Sequence, residues 1–281
     1  HRDLHSFPTR RSSDLLDAFD NANIASLSIP GQFVKEMATE LIRKQIHLFV
    51  FSDHVPLEDE IYLKNLALEN NVLFMGPEAG TSILNGTVFG FGNRIRNGSI
   101  GIIGASGTGI QESSTMIDLF GEGISHGIGV GGRDLRNDIG GMMTMKTMEI
   151  FEDDPNTKAV LLVSKPVGDD VRNKIINKIN NFSKKNYVIC LIGDNENRED
   201  SSKIKFSKSI QTSVLKILKY VNDDAYKKIK DVVRKQVDDS IKLAESLSND
   251  LNSEQKFVRG FFAGGTLCYE SKIILEQMIG K

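Results

Sequence analysis

The chain has 281 residues, 40% of them hydrophobic and 26% charged, with a formal net charge of −2. That length accommodates two domains with real cores, and the composition is that of an ordinary globular protein. The near-neutral charge excludes a global basic field for nucleic acid or an anionic membrane surface, and no apolar run approaches the roughly 20 residues that span a bilayer.

The opening segment, residues 1–15, has no apolar signal region. Codon by codon it reads as one frame of a widely used short-read sequencing adapter. It is therefore expected to be non-native and is set aside, which removes His1 and His5 and leaves His47, His54 and His126. From residue 24 a strand–helix alternation begins. Ile24–Ile29 reads as a short strand, Gln32–Lys44 as a helix, and Ile46–Phe51 as a buried strand. Leu57–Asn70 reads as a helix with Glu58, Asp59 and Glu60 in its first turn, where the helix dipole favours negative charge. Val72–Met75 is a further strand, closed by Gly76-Pro77. Residues 80–98, rich in Gly and Asn, interrupt the pattern, so a boundary is expected near Arg96-Asn97-Gly98.

The alternation restarts with a strand at Ile100–Ile103 and a helix at Gly109–Phe120. Next come a strand at Gly127–Val130, a helix at Ile139–Phe151 and a strand at Ala159–Val163. A helix at Asp169–Phe182 and a strand at Tyr187–Ile192 complete it. Strands separated by helix-length segments argue for βαβ units and a mostly parallel, doubly wound sheet. Residues 195–256 turn charged and polar, with Ile229, Val233, Val237, Ile241, Leu247 and Leu251 at helical spacing. They read as one or two surface helices with a single apolar stripe, either solvated or partner-binding. No tandem repeat and no metal-type Cys/His spacing is evident. The helix-like pattern from Gly264 runs uncapped to Lys281, so truncation is expected at both ends. Cys190 and Cys268, both in apolar sequence, read as buried reduced thiols of a cytoplasmic protein.

The strongest chemical signal is Gly104-Ala-Ser-Gly-Thr-Gly109, between a strand and a helix. Its glycines let backbone N–H groups approach an anion, and Ser106 and Thr108 add hydroxyl donors. It lacks the Gly-Lys-Ser/Thr of a P-loop and is no convincing dinucleotide fingerprint. Two readings stay open: an anion cradle at Ser106, Gly107, Thr108 and Gly109, or an N-cap turn. Gly129-Val-Gly-Gly-Arg-Asp134 also follows a strand. Its Arg133 is either a bidentate donor to an anion or half of a turn salt bridge with Asp134. Ser52-Asp53-His54, Glu78 and Lys165 sit at other strand ends, where ligand binding and plain solvation both fit. His126 reads as structural. No Ser/His/Asp or Cys/His nucleophile arrangement can be assembled.

Taken in order, Val50-Phe-Ser-Asp-His-Val-Pro-Leu-Glu-Asp-Glu60, Met75-Gly-Pro-Glu-Ala-Gly-Thr81, Ile103-Gly-Ala-Ser-Gly-Thr-Gly-Ile-Gln-Glu112 and Gly129-Val-Gly-Gly-Arg-Asp-Leu135 resemble the α subunit of succinyl-CoA synthetase. They look closest to the FdrA branch of that acyl-CoA synthetase superfamily. The likeness runs from about residue 24 to 192 and returns at Phe257–Glu270. It implies that residues 16–97 are the latter part of a Rossmann-like CoA-binding domain. Residues 98–194 would form a flavodoxin-like ligase domain, 195–256 a charged helical insertion and 257–281 a return to the second domain. It also implies CoA contacts at Ser52, Asp53 and His54, and a phosphate cradle at Ser106, Gly107 and Thr108.

Two departures from the family pattern stand out. The phosphorylated histidine of such synthetases has no counterpart in Phe257-Val-Arg-Gly-Phe-Phe-Ala-Gly-Gly265, and Lys165 stands where a carboxylate is expected. Without the imidazole there is no protein nucleophile to carry phosphate. The cradle would instead be lined by Arg133, Lys165 and Arg259 and suit an acyl or carbamoyl phosphate, with Arg133 and Lys165 as provisional catalytic residues. The expected protein is an FdrA-type, acyl-CoA synthetase-like subunit. A carbamoyl-phosphate-dependent transferase subunit, of the oxamate carbamoyltransferase kind, and a non-catalytic CoA- or anion-binding scaffold are the alternatives. The nucleotide site would lie on a partner chain.

Overall fold

The computed structural model describes residues 21–279 apart from Pro166, Asn195 and Ser253. The expectations for residues 1–15, for Pro166 and for Lys281 lie outside the described residues. The first unit contains β1 (Ile24–Leu27), a single 3₁₀ turn at Gly31–Phe33, α1 (Val34–Arg43), β2 (His47–Val50), α2 (Leu57–Glu69) and β3 (Phe74–Met75). Its strands form a parallel sheet in the order β1-β2-β3. α1 places Val34, Ala38, Leu41 and Ile42 on one buried face, the helical spacing read from the sequence.

The second unit contains β4 (Thr81–Leu84), β5 (Thr87–Gly90), β6 (Asn97–Gly104), α3 (Gly107–Leu119), β7 (Ile124–Gly129) and α4 (Met142–Asp153). It continues through β8 (Ala159–Ser164), α5 (Asp169–Phe182), β9 (Asn186–Leu191), β10 (Ile204–Ser207), α6 (Ile210–Val221), α7 (Asp223–Ser248) and α8 (Gly265–Ile279). The sheet order is β10-β9-β8-β6-β7-β4-β5. Its strands β10, β9, β8, β6 and β7 run parallel, and β4 is antiparallel to both β7 and β5.

Both faces of this sheet are covered, so β8 is an unbroken apolar run from Ala159 to Val163 rather than an alternation with polar residues. On β8, Val160 and Leu162 join one core with Met143, Phe151, Val171 and Ile175 of α4 and α5. Leu161 and Val163 join the other with Ile110 and Ile117 of α3 and Val214 and Ile217 of α6. The first core also contains Leu48, Phe49 and Phe74 of the small sheet, so the two units share one apolar interior. Burying each such side chain contributes about 1.5–3 kcal/mol.

Two expectations change. The Gly/Asn-rich stretch at 80–98 holds the β4–β5 hairpin, which pairs with the second sheet through Ile83 and Leu84, so the two sheets divide between Met75 and Thr81. Within the expected insertion at 195–256, β10 extends the second sheet beside β9, and α6 packs against β8 and β9. Among the described residues of this stretch, α7 is the charged surface helix. Of its 26 residues Val233 is the one that is buried.

Candidate functional site

The helix after β6 lies on one face of the large sheet, while those after β7 and β8 lie on the other. Neighbouring strands whose connections leave in opposite directions open a crevice at their carboxyl ends. A cavity of about 570 Å³ occupies that position. Its wall includes Ala105, Ser106 and Thr108 after β6, Gly132, Arg133 and Arg136 after β7, and Ser164 and Lys165 after β8. Glu78, Leu135, Gly265 and Thr266 complete it.

Ser106 is the N-cap of α3: its hydroxyl accepts from Gly109 N at 3.0 Å. The two readings of this turn are therefore compatible. The cap satisfies one donor, while the N–H groups of Gly107 and Thr108 lie in the first turn, beyond the reach of any intrahelical acceptor. The Ser106 hydroxyl also hydrogen-bonds Thr266 Oγ1 in the first turn of α8. A Cβ on Gly264 would stand 2.3 Å from Thr108 Cγ2. So Ser106 meets Thr266 while Gly264 meets Thr108, a reciprocal contact of the kind a two-fold axis produces.

The sequence carries the same relation. Ala105-Ser-Gly-Thr-Gly-Ile-Gln-Glu-Ser113 and Ala263-Gly-Gly-Thr-Leu-Cys-Tyr-Glu-Ser271 share Ala, Gly, Thr, Glu and Ser at matching positions. Thr266 was not anticipated as a site residue, and this spaced repeat is the signal that could have revealed it. Two helix N-termini thus meet at one cavity, each contributing its first turn, with its positive dipole end, and a threonine to the wall.

The cations divide. Lys165 lines the cavity, exposed, with its ammonium 5.6 Å from the ring centre of Tyr269. Arg136, not anticipated, lines it too and is exposed. Arg259 does not line it; its guanidinium lies 5.7 Å from the centre of the Phe257 ring. Arg133 neither pairs with Asp134 nor stands free. Its Nε meets Glu60 Oε2 at 2.8 Å, and its Nη2 donates to Val55 O at 2.7 Å. Asp134 pairs instead with Lys64 at 2.8 Å and accepts from Met143 N, Thr144 N and Thr144 Oγ1, which anchors the start of α4. Lys64 also meets Glu60 at 2.8 Å and donates to Val130 O. The side chains of Glu60 and Lys64 are fully buried, so the turn pairing gave way to a network between α2 and the loop after β7.

The residues expected to contact CoA lie at a second cavity of about 490 Å³, lined by Ser28, Ile29, Pro30, Phe51, Ser52, Asp53, Glu78, Gly80 and Phe91. Glu78 belongs to both walls. Ser52 is buried and its hydroxyl accepts from Ile29 N at 2.9 Å, fixing the ends of β1 and β2. Asp53 is exposed on the rim. His54 adopts φ 54°, lies 3.1 Å from Asp53, has an 89% exposed side chain and does not line the cavity.

His126 is structural, as read. Its Nδ1 accepts from Asn85 N at 3.0 Å and its ring stacks on Phe151. Burial pushes its pKa below the ordinary histidine value despite Asp154 nearby. Cys190 is buried, and desolvation pushes its thiol up to about 12. Cys268 is exposed, a correction to the expectation of burial, because it lies on the outward side of α8 while Thr266 is buried. Among the described residues no cluster of His, Cys, Asp and Glu could hold a metal ion. None of the described helices is long and apolar enough to cross a membrane.

Fold and cavity together define an α/β protein with a crevice at the carboxyl edge of its parallel sheet, and comparisons with known proteins show what it is similar to. Residues 95–183 match the family described as CoA binding domain. That match falls on the large sheet, not on the Ser52–His54 loop. The chain is 36% identical over 263 residues to uncharacterized protein YahF of Escherichia coli K12, covering 92% of this chain and 49% of that protein. It is 27% identical over 168 residues to the α subunit of ADP-forming succinate–CoA ligase from Methanothermobacter thermautotrophicus, covering 58% of this chain and 55% of the relative. Among solved structures, ATP citrate lyase from Methanothrix soehngenii, in complex with citrate and coenzyme A, superposes with a TM-score of 0.56 at 16% identity. That superposition covers 87% of this chain and 46% of the lyase chain. The chain spans about half the length of the curated relatives it matches.

Proposed function

We propose that this chain is an FdrA-type, acyl-CoA synthetase-like subunit that binds a phosphoryl or acyl-phosphate group at the convergence of α3 and α8. The observation that carries the reading is the facing pair of helix N-termini, with Ser106, Thr108 and Thr266 at the rim and Lys165 and Arg136 in the same wall. Such a site stabilises the spread negative charge of a transferring phosphoryl group through preorganised N–H dipoles and fixed cations. Succinate–CoA ligase α subunits and the sulfoacetate–CoA ligase subunit of Acholeplasma, 28% identical over 144 residues, support the assignment to CoA-ligase chemistry. Their description as subunits supports a partner chain, which would supply the nucleotide site. CoA would lie against Ser52 and Asp53, in the neighbouring cavity that shares Glu78.

None of the described histidines lines the cavity. This favours a second reading for the chemical step: the phosphoryl group stays on the substrate, as an acyl or carbamoyl phosphate, and transfer proceeds without a phosphoprotein. Incubation with ³²P-labelled acetyl phosphate and with ³²P-labelled carbamoyl phosphate tests it. Label should bind reversibly and filter away from the denatured protein. Acid-labile label retained on the chain would overturn it.

A further inference from the structure

We propose that Arg133 couples the anion cavity to the Ser52–Val55 loop, and that Glu60 is the residue that positions it. The inference rests on the two-cavity reading above. Its warrant is the way the guanidinium is shared. Arg133 lies after β7 and lines the anion cavity, with its side chain 21% exposed. One edge of its fork is committed to the other unit: Nε meets buried Glu60 on α2, and Nη2 donates to Val55 O, immediately after Asp53 and His54. A guanidinium carries five N–H donors in a fixed plane. These contacts engage Nε and one N–H of Nη2, and an anion in the cavity would be met by the remaining N–H donors. A group bound there would fix the plane of the guanidinium and, through it, the Val55 carbonyl and the loop that carries Ser52 and Asp53.

Glu60 holds the guanidinium by charge rather than by an aligned hydrogen bond, and it is itself held. Lys64 meets its other oxygen at 2.8 Å and is fixed in turn by Asp134 and by Val130 O. Asp134 is locked by the first turn of α4. The four charges sum to zero, so the network has no net need of an external counter-ion. Because Lys64 also neutralises Glu60, the guanidinium would keep that contact while its remaining N–H donors met an anion. The same four residues join α2 of the small sheet to the loop after β7 of the large one, so their geometry fixes one unit on the other. Binding at either cavity then changes the affinity of the other by the same factor, as linkage requires.

The test is calorimetric titration of CoA with and without saturating inorganic phosphate, and of phosphate with and without CoA, on the whole chain. The expected result is an equal change, about threefold or more, in both dissociation constants. Arg133→Lys keeps the charge but loses the fork, and Glu60→Gln releases the guanidinium plane. In each, the coupling factor falls to 1 while CoA alone still binds. Thermal denaturation verifies that each variant folds, and the wild-type reciprocity stands as a test without either. Binding of both ligands to the wild type with a factor of 1, or an unchanged factor in Arg133→Lys, overturns the coupling and leaves the two-cavity reading intact. Failure of phosphate to bind the wild type overturns both.

Discussion

The buried network around Lys64 gives the sharpest quantitative prediction. Lys64, Glu60 and Asp134 are each 0% exposed, so water does not screen their interactions. Lys64→Met keeps most of the aliphatic stem and volume but removes the ammonium. It leaves buried Asp134 without its cationic partner and Glu60 with Arg133 alone, and Val130 O loses its donor. Breaking a buried ion pair by deleting one partner costs about 3–5 kcal/mol, because the other charge stays desolvated. At roughly 2–4 °C per kcal/mol for a chain of this size, the melting temperature should fall by about 6–20 °C. Urea denaturation and thermal melts followed by circular dichroism measure it. Lys227→Met is the control: Lys227 lies 2.7 Å from Asp223, but the two side chains are 66% and 49% exposed, and no measurable change is expected. A Lys64→Met melt within error of that control would refute the argument that burial makes this network structurally decisive.

Further outcomes follow from other contacts. Ser106→Ala removes the α3 cap and the bond to Thr266, and should destabilise by about 1 kcal/mol in the same melts. Gly264→Ala forces a Cβ against Thr108, so α8 should lift from α3, and limited proteolysis near residue 264 should accelerate. His47 and His126 both accept a backbone N–H at Nδ1 and both have pKa values pushed below 6.5 by burial. The unfolded chain therefore binds more protons below about pH 6.5, so stability is full above it and declines as pH falls. Urea midpoints at pH 8 and 5.5 should differ in that direction, and by less in His126→Gln. Native alkylation should label exposed Cys268 and spare buried Cys190, as peptide mass mapping would read.

What the sequence revealed followed the strength of its local signals. The strands around Val160 and Ile189 were legible because both faces of the sheet are buried, which leaves unbroken apolar runs. α5 was legible end to end from its spacing and its Asp169-Asp170 start. The β4–β5 hairpin was not. Its strands have four residues each, and their pairing with β7 depends on distant partners. β10 failed to register for the same reason, as four residues in a polar stretch. At the site, the Ser106 turn was visible because its function is local. Thr266 needed the comparison of two spaced motifs, and the Arg133–Glu60 pair needed the fold, because no local pattern links a loop arginine to a helix carboxylate in another unit.

The central claim, that α3 and α8 together form an anion cradle, is tested most directly by titrating inorganic phosphate into the wild type and into the double variant Thr108→Val with Thr266→Val. The hydroxyls are lost while the β-branched shape is kept. Saturable binding to the wild type, weakened at least tenfold in the double variant and by less in each single one, is the predicted result. Equal affinity in all four proteins, or no saturable binding to the wild type, would contradict it.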